Sequence, residues 1–274
     1  MKTLIVMKVV ALVVLLACKS PDVSFLAGTP PAAGVRKLVW SDEFNKSGLP
    51  DSTKWGYEVG GNGWGNNELQ FYTARRSENA RVENGKLIIE ARKEAYQGRN
   101  YTSARLLTQN KSTWTYGRIE AMAKLPKGVG TWPAVWMLGK NISTAGWPKS
   151  GEIDIMEHVG FDEGVIHGTV HTEAYNHGKK TEKGAAITLQ DVTTTFHLYA
   201  IEWTADKIDF FVDDRKYYTV EKSVLGNSES QWPFEQPFFL ILNVAVGGNW
   251  GGQKGVDETI WPQRMEVDYV RVYQ

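Results

Sequence analysis

Gly151-Glu152-Ile153-Asp154-Ile155-Met156-Glu157-His158 sets four ionisable side chains among large apolar ones within eight positions. A helix would scatter them, with Glu152 and Glu157 about 140° apart at 3.6 residues per turn. On a strand, Glu152 and Asp154 share one face, and Ile153 and Ile155 share the other. Glu157 then has the wrong parity, five positions from Glu152. One extra residue near Ile155-Met156, a β-bulge, brings Glu157 round to the other acids. The stretch therefore reads as a bulged strand with three carboxylates on a concave face. Charged groups are costly in a sheet unless that face looks into a wet cleft.

Working outward, the chain is a series of short strands separated by turn signals. Val39 to Phe44 forms a first strand and its exit. Residues 51–68 are a Gly/Asn-rich loop. Ala80 to Ala91 is a hairpin turned by Asn84-Gly85. Further strands are expected at 102–108, 116–124, 132–138, 151–158, 165–172, 195–203, 207–212, 216–220, 238–246 and 264–273. No segment keeps an amphipathic helical period for three turns, and no fixed repeat suggests a propeller or solenoid. An all-β chain must bury its sheet faces against another sheet. The expected fold is two stacked antiparallel sheets in a jelly-roll sandwich, forming one domain over 35–274.

The first 17 residues read as a targeting leader, with Lys2 and Lys8 before a short apolar run that ends Leu15-Leu16-Ala17-Cys18. The run is too short to span a membrane comfortably. Its end resembles a bacterial lipobox, which makes Cys18 the lipidated residue after cleavage. Cys18 is the only cysteine, so no internal disulfide framework exists. Residues 18–34, rich in Pro, Gly, Ala and Ser, read as a flexible tether. The expectation is an exported monomer, lipid-anchored to a bacterial membrane at the cell surface or in the periplasm. Without Lys2 and Lys8 the chain holds 29 basic against 31 acidic residues. That balance offers no basic field for nucleic acid.

The chain has 11 tryptophans. Trp40 and Trp203 read as core. Trp64, Trp132, Trp147, Trp232, Trp250 and Trp261 sit beside Gly, Asn or Pro, in loops or at strand ends. Aromatic faces near carboxylates suit the apolar C–H faces and polar rims of sugar rings. Paired glutamates are the machinery of glycoside hydrolysis. A hard cation on the oxygen ligands and a merely solvated edge strand are the other readings of the acidic run. Spacing alone leaves the three open.

Glu152-Ile153-Asp154-Ile155-Met156-Glu157 matches the E-x-D-x-x-E signature of glycoside hydrolase family 16. Gly63 to Gln70, Thr102 to Arg105, Gly130 to Leu138, Gly168 to Thr172 and Asn243 to Trp250 follow in order and look like bacterial laminarinases. The resemblance runs from about Val39 to Tyr273. It implies a concanavalin A-like β-jelly roll and retaining endo-hydrolysis of β-1,3-glucosidic bonds in laminarin-type glucans. Mixed-linkage glucan, an algal galactan, or a non-catalytic glucan-binding role are the alternatives. By the same resemblance, Glu152 is the nucleophile, Asp154 its supporting acid and Glu157 the acid/base. Asn67, Glu68, Arg105, Trp132, Trp136, His171 and Trp250 become substrate-binding residues. Trp136 is the firmer groove assignment of the two strand tryptophans. His158, of opposite parity to Glu157, reads as structural. No catalytic cofactor is implied, but a structural calcium is, on Glu43, the Gly85 carbonyl and Asp268.

Overall fold

The strand Phe238–Val246 is buried along its whole length, so both of its faces are covered. Phe238, Leu240, Leu242, Val244 and Val246 enter the main core, while Phe239 and Ile241 pack on the other face beside Trp136. Strict alternation thus assigns one set of side chains to the core and leaves Asn243 and Ala245 facing the groove. The computed structural model describes Met1 and residues 36–274. The cleavage site, Cys18 and the tether lie outside the described residues.

This strand sits inside a seven-stranded antiparallel sheet. Its order is Lys183–Thr188, Val165–His171, Glu152–Glu157, Thr131–Gly139, Phe238–Val246, Arg105–Leu107, Gly56–Glu58. A ten-stranded sheet covers its back, with Gly117–Lys124, His197–Trp203 and Gln263–Tyr273 at its centre. Ile153, Ile155, Met156, Val135 and Val170 from the first sheet meet Ile119, Tyr199, Ile201, Val270 and Val272 from the second in one apolar layer. Each large side chain buried there contributes about 1.5–3 kcal/mol relative to exposure. The all-β sandwich expected from the sequence is the observed fold.

Four details differ. The expected strand 102–108 is two strands, Arg99–Ser103 and Arg105–Leu107, which pair in different sheets. Ala104 between them is where the chain crosses the sandwich. Gln70–Tyr72 pairs with Arg99–Ser103 in parallel, so the sheets are not wholly antiparallel. Gly56–Glu58 lies within the expected loop, too short to show alternation. Lys183–Thr188 (Lys-Gly-Ala-Ala-Ile-Thr) forms an edge strand despite its poor strand formers, because Val165–His171 offers it an open edge along the full register. The Asn84-Gly85 turn is as expected, with both residues at positive φ (52° and 71°), as a type I′ hairpin requires.

Strand pairing brings the three residues implied for calcium beside the middle of Gln263–Tyr273, since Asp42 pairs with Val270 and Leu87 with Val267. The Glu43 carboxylate is already taken. Both its oxygens accept hydrogen bonds from Arg271, at 2.9 and 2.8 Å. This bidentate pair holds the Glu43 carboxyl below its usual range. A guanidinium stands where a cation would have to approach, so in this arrangement the residues do not fit a calcium site. Chelation by EDTA should therefore leave the melting temperature unchanged. Arg271→Ala should lower it by about 2–4 °C, the equivalent of roughly 1 kcal/mol. A rise on adding calcium to the wild-type protein would show that the ion displaces Arg271.

Candidate active site

The bulge lies where parity demands it. Against Thr131–Gly139, Asp154 pairs with Trp136 and Met156 with Val135, leaving Ile155 as the extra residue. Against Val165–His171 the register slips between Asp154 and Glu157. Ile155 and Met156, though consecutive, are both buried in the core. Glu157 therefore returns to the face of Glu152 and Asp154, and all three line one groove of about 990 Å³.

Each acid has its own partner. The Trp147 indole N–H donates to Glu152 Oε2 at 3.0 Å. The Trp132 indole N–H donates to Glu157 Oε1 at 3.0 Å. Asp154 is 2% exposed, and its Oδ2 makes no hydrogen bond. His171 Nε2 lies 3.4 Å from that oxygen and 3.8 Å from Glu152 Oε1. Burial pushes all three carboxyls above the usual carboxylate range. The Asp154 charge adds to this at Glu152, and the Glu157 charge adds at Asp154. His171 and the two indoles pull the other way at Glu152 and Glu157. Burial and mutual repulsion on this face therefore favour the protonated forms over those of free carboxyls.

Aromatic walls surround the acids. Trp132 and Trp136 stand on the neighbouring strand, and Trp64, Trp147 and Trp250 reach in from loops. Trp250 packs edge-to-face on Trp132 at 5.5 Å and on His167 at 4.9 Å. The Arg105 guanidinium is sandwiched between Trp64 and Trp136, 4.9 and 4.6 Å from their rings. Its Nε is 2.5 Å from Glu58. Arg105 lines the groove, but its charge is neutralised by Glu58 and it serves to fix two tryptophans. A buried relay continues from there. Trp136 Nε1 donates to Asn243, Asn243 to the Tyr72 hydroxyl, and that hydroxyl to Glu68. Gln70 also donates to Glu68, at 2.6 Å. Burial raises the Glu68 pKa.

Glu68, Arg105, Trp132, Trp136, His171 and Trp250 all line the groove as anticipated. Asn67 does not. Its backbone is left-handed (φ 56°), its side chain is exposed, and its amide donates to Asn249 at 2.8 Å. Asn66 occupies the groove wall in its place. Of the loop tryptophans, Trp232 is buried and Trp261 packs on the core beside Tyr101. His158 is structural. It is fully buried, Nε2 accepts the Gly164 N–H, and burial lowers its pKa to about 4. Glu58, Trp147, His167 and His177 also line or brace the groove without having been singled out as site residues. Only Trp147 carried a signal, as a loop tryptophan five residues before Glu152.

The model of glycosyl hydrolases family 16 matches residues 67–271. The chain belongs to family 16. It is 59% identical over 243 residues to a β-glucanase of Rhodothermus marinus, covering 87% of this chain and 85% of the relative. The X-ray structure of the laminarinase from the same organism superposes with a TM-score of 0.85 at 57% identity, covering 87% of this chain and 97% of that one. The crystal structure of a mutant of SCLam, a non-specific endo-β-1,3(4)-glucanase of family 16, superposes with a TM-score of 0.85 at 50% identity. The match covers 88% of this chain and 96% of that one, which holds a 1,3-β-D-cellobiosyl-glucose at the active site. The protein is thus a glycoside hydrolase of this family, and the sandwich is the family's fold.

Raised carboxyl pKa values carry a stability cost with a defined sign. A carboxyl whose folded pKa exceeds its unfolded one contributes fully at low pH, and that contribution is lost as pH rises through the folded pKa. Asp154→Asn should accordingly raise stability near pH 7–8 by about 1 kcal/mol or more, some 2–4 °C in Tm. The gain should shrink towards pH 4. Thermal melts of both proteins across this range measure it, and a variant less stable than wild type at pH 8 contradicts the electrostatic reading.

Proposed function

We propose that this chain is a retaining endo-hydrolase of β-1,3-glucans. The observation that carries this is the pair Glu152 and Glu157 on one groove face, each oriented by a tryptophan N–H. Hydrolysis with retention needs one carboxylate to attack the anomeric carbon and another to protonate the departing oxygen. Trp147 occupies Glu152 Oε2, which leaves Oε1 for attack. Trp132 occupies Glu157 Oε1, which leaves Oε2 as the proton carrier. Attack by Glu152 breaks the glycosidic bond while Glu157 gives its proton to the leaving sugar, forming a covalent glycosyl-enzyme. Glu157, now ionised, takes a proton from water as that water displaces Glu152. Asp154, buried on the same strand face, lies beside Glu152 and tunes the nucleophile through its charge rather than attacking. The likeness to the Rhodothermus laminarinase supports a β-1,3-glucan substrate.

The likeness to SCLam supports a second reading, in which β-1,3-1,4-glucan is also cleaved. The leader, lipid-bearing Cys18 and tether read from the sequence support action on a polysaccharide outside the cell in either case. Structural calcium is not part of this proposal, because Arg271 holds Glu43.

Glu152→Gln should abolish turnover of laminarin, by about 10³-fold or more. Glu157→Gln should lose about 10²–10⁴-fold on laminarin, yet far less on an aryl glucoside whose leaving group needs no proton. Trp132→Phe removes a donor that favours the charged form of Glu157, so the alkaline limb of its kcat/KM profile should move to higher pH. Initial rates on laminarin, lichenan, agarose and the aryl substrate test all three. Strong activity on agarose with none on laminarin overturns the substrate assignment.

A further inference from the structure

The mechanism uses His171 only as a neighbour of the acids, and it leaves Asp154 Oδ2 without a hydrogen bond. The geometry points to a second use of the same three groups: Glu152, Asp154 and His171 form an inhibitory site for a zinc-class divalent cation.

Ligand atoms from these residues all lie within 4.8 Å of one another. His171 Nε2 stands 3.4 Å from Asp154 Oδ2 and 3.8 Å from Glu152 Oε1. Zinc binds imidazole nitrogen and carboxylate oxygen at about 2.0–2.2 Å, which puts tetrahedral ligand atoms about 3.3 Å apart. The Asp154–His171 edge already has that length, and Glu152 needs only a modest shift. Asp154 and His171 are 2% and 6% exposed. The buried, unpartnered Asp154 oxygen is aimed at the imidazole and lacks the donor that buried oxygens normally have. One imidazole with two carboxylates suits zinc, copper or nickel, whereas magnesium and calcium prefer all-oxygen shells. Three protein ligands also leave a coordination position open towards the groove.

Binding rests on this geometry alone, while inhibition rests on the proposed role of Glu152. A metal-ligated Glu152 cannot attack, and the ion stands where the sugar must sit. Elsewhere, His197 lies between Asp191 and Asp213, but both its ring nitrogens are already bonded, at 3.1 and 2.9 Å. That makes it a suitable control.

Titration calorimetry of the purified protein with ZnCl2 should show one zinc per chain, blocked by a saturating laminari-oligosaccharide. In kinetics, zinc should raise KM for laminarin with kcat unchanged, reversibly by EDTA, while MgCl2 at equal concentration does nothing. Asp154→Asn and His171→Gln, each checked for folding by circular dichroism, should weaken zinc binding at least about tenfold. His197→Gln should bind as wild type does. Zinc affinity unchanged in both cleft variants, zinc binding unaffected by the oligosaccharide, or equal inhibition by magnesium overturns the site. Calorimetry reads the site without turnover, so an inactive preparation would fail the proposed function and not this inference.

Discussion

One residue too many in a six-residue strand governs this site. Ile155 has no place in the register between Asp154 and Met156, and the core accepts both Ile155 and Met156 on its side of the sheet. Burying two consecutive apolar side chains stabilises the bulge, and the bulge turns Glu157 into the groove. Without it the strand's alternation would drive Glu157 into the apolar layer, where an unpaired carboxylate costs several kcal/mol. Core packing and catalytic geometry are thus one constraint acting on opposite faces of one strand.

The groove face is built against stability. Three carboxyls crowd one another on the groove face, Asp154 buried and Glu152 and Glu157 half-buried, and the fold offers them two indole donors and one imidazole. These partners are fixed by the sandwich beneath them. Trp132 is on a strand paired along both edges, and His171 ends the strand opposite Glu152. The tryptophan walls are fixed too, through Arg105 between two rings and through the relay from Trp136 to Glu68. Around Trp64 and Trp136 the binding surface is therefore preorganised by polar contacts away from the catalytic acids, while Trp132 and Trp147 are held by the acids themselves.

Much of this was legible in the sequence, because parity is a local property. The acidic strand, its bulge, the Asn84-Gly85 hairpin and the sandwich class follow from period-2 patterning and turn chemistry. The family motifs placed the groove residues. What sequence could not give depends on contacts between distant segments. The crossing at Ala104 splits a run that looks continuous. Lys183–Thr188 becomes a strand only because an edge awaits it. Asn67 and Asn66 differ by one residue in a loop whose left-handed positions decide which amide faces the groove. Glu43 looked like a cation ligand until Arg271, 228 residues away, closed on it.

The division of labour among the acids is tested most directly by trapping the intermediate. A laminari-oligosaccharide carrying fluorine at C2 of the reacting sugar, with an activated leaving group, should accumulate as a glycosyl-enzyme. Peptide fragmentation by mass spectrometry then locates the bond within Glu152–Glu157. A single adduct on Glu152 is expected. An adduct on Asp154 or Glu157 would contradict that division of labour.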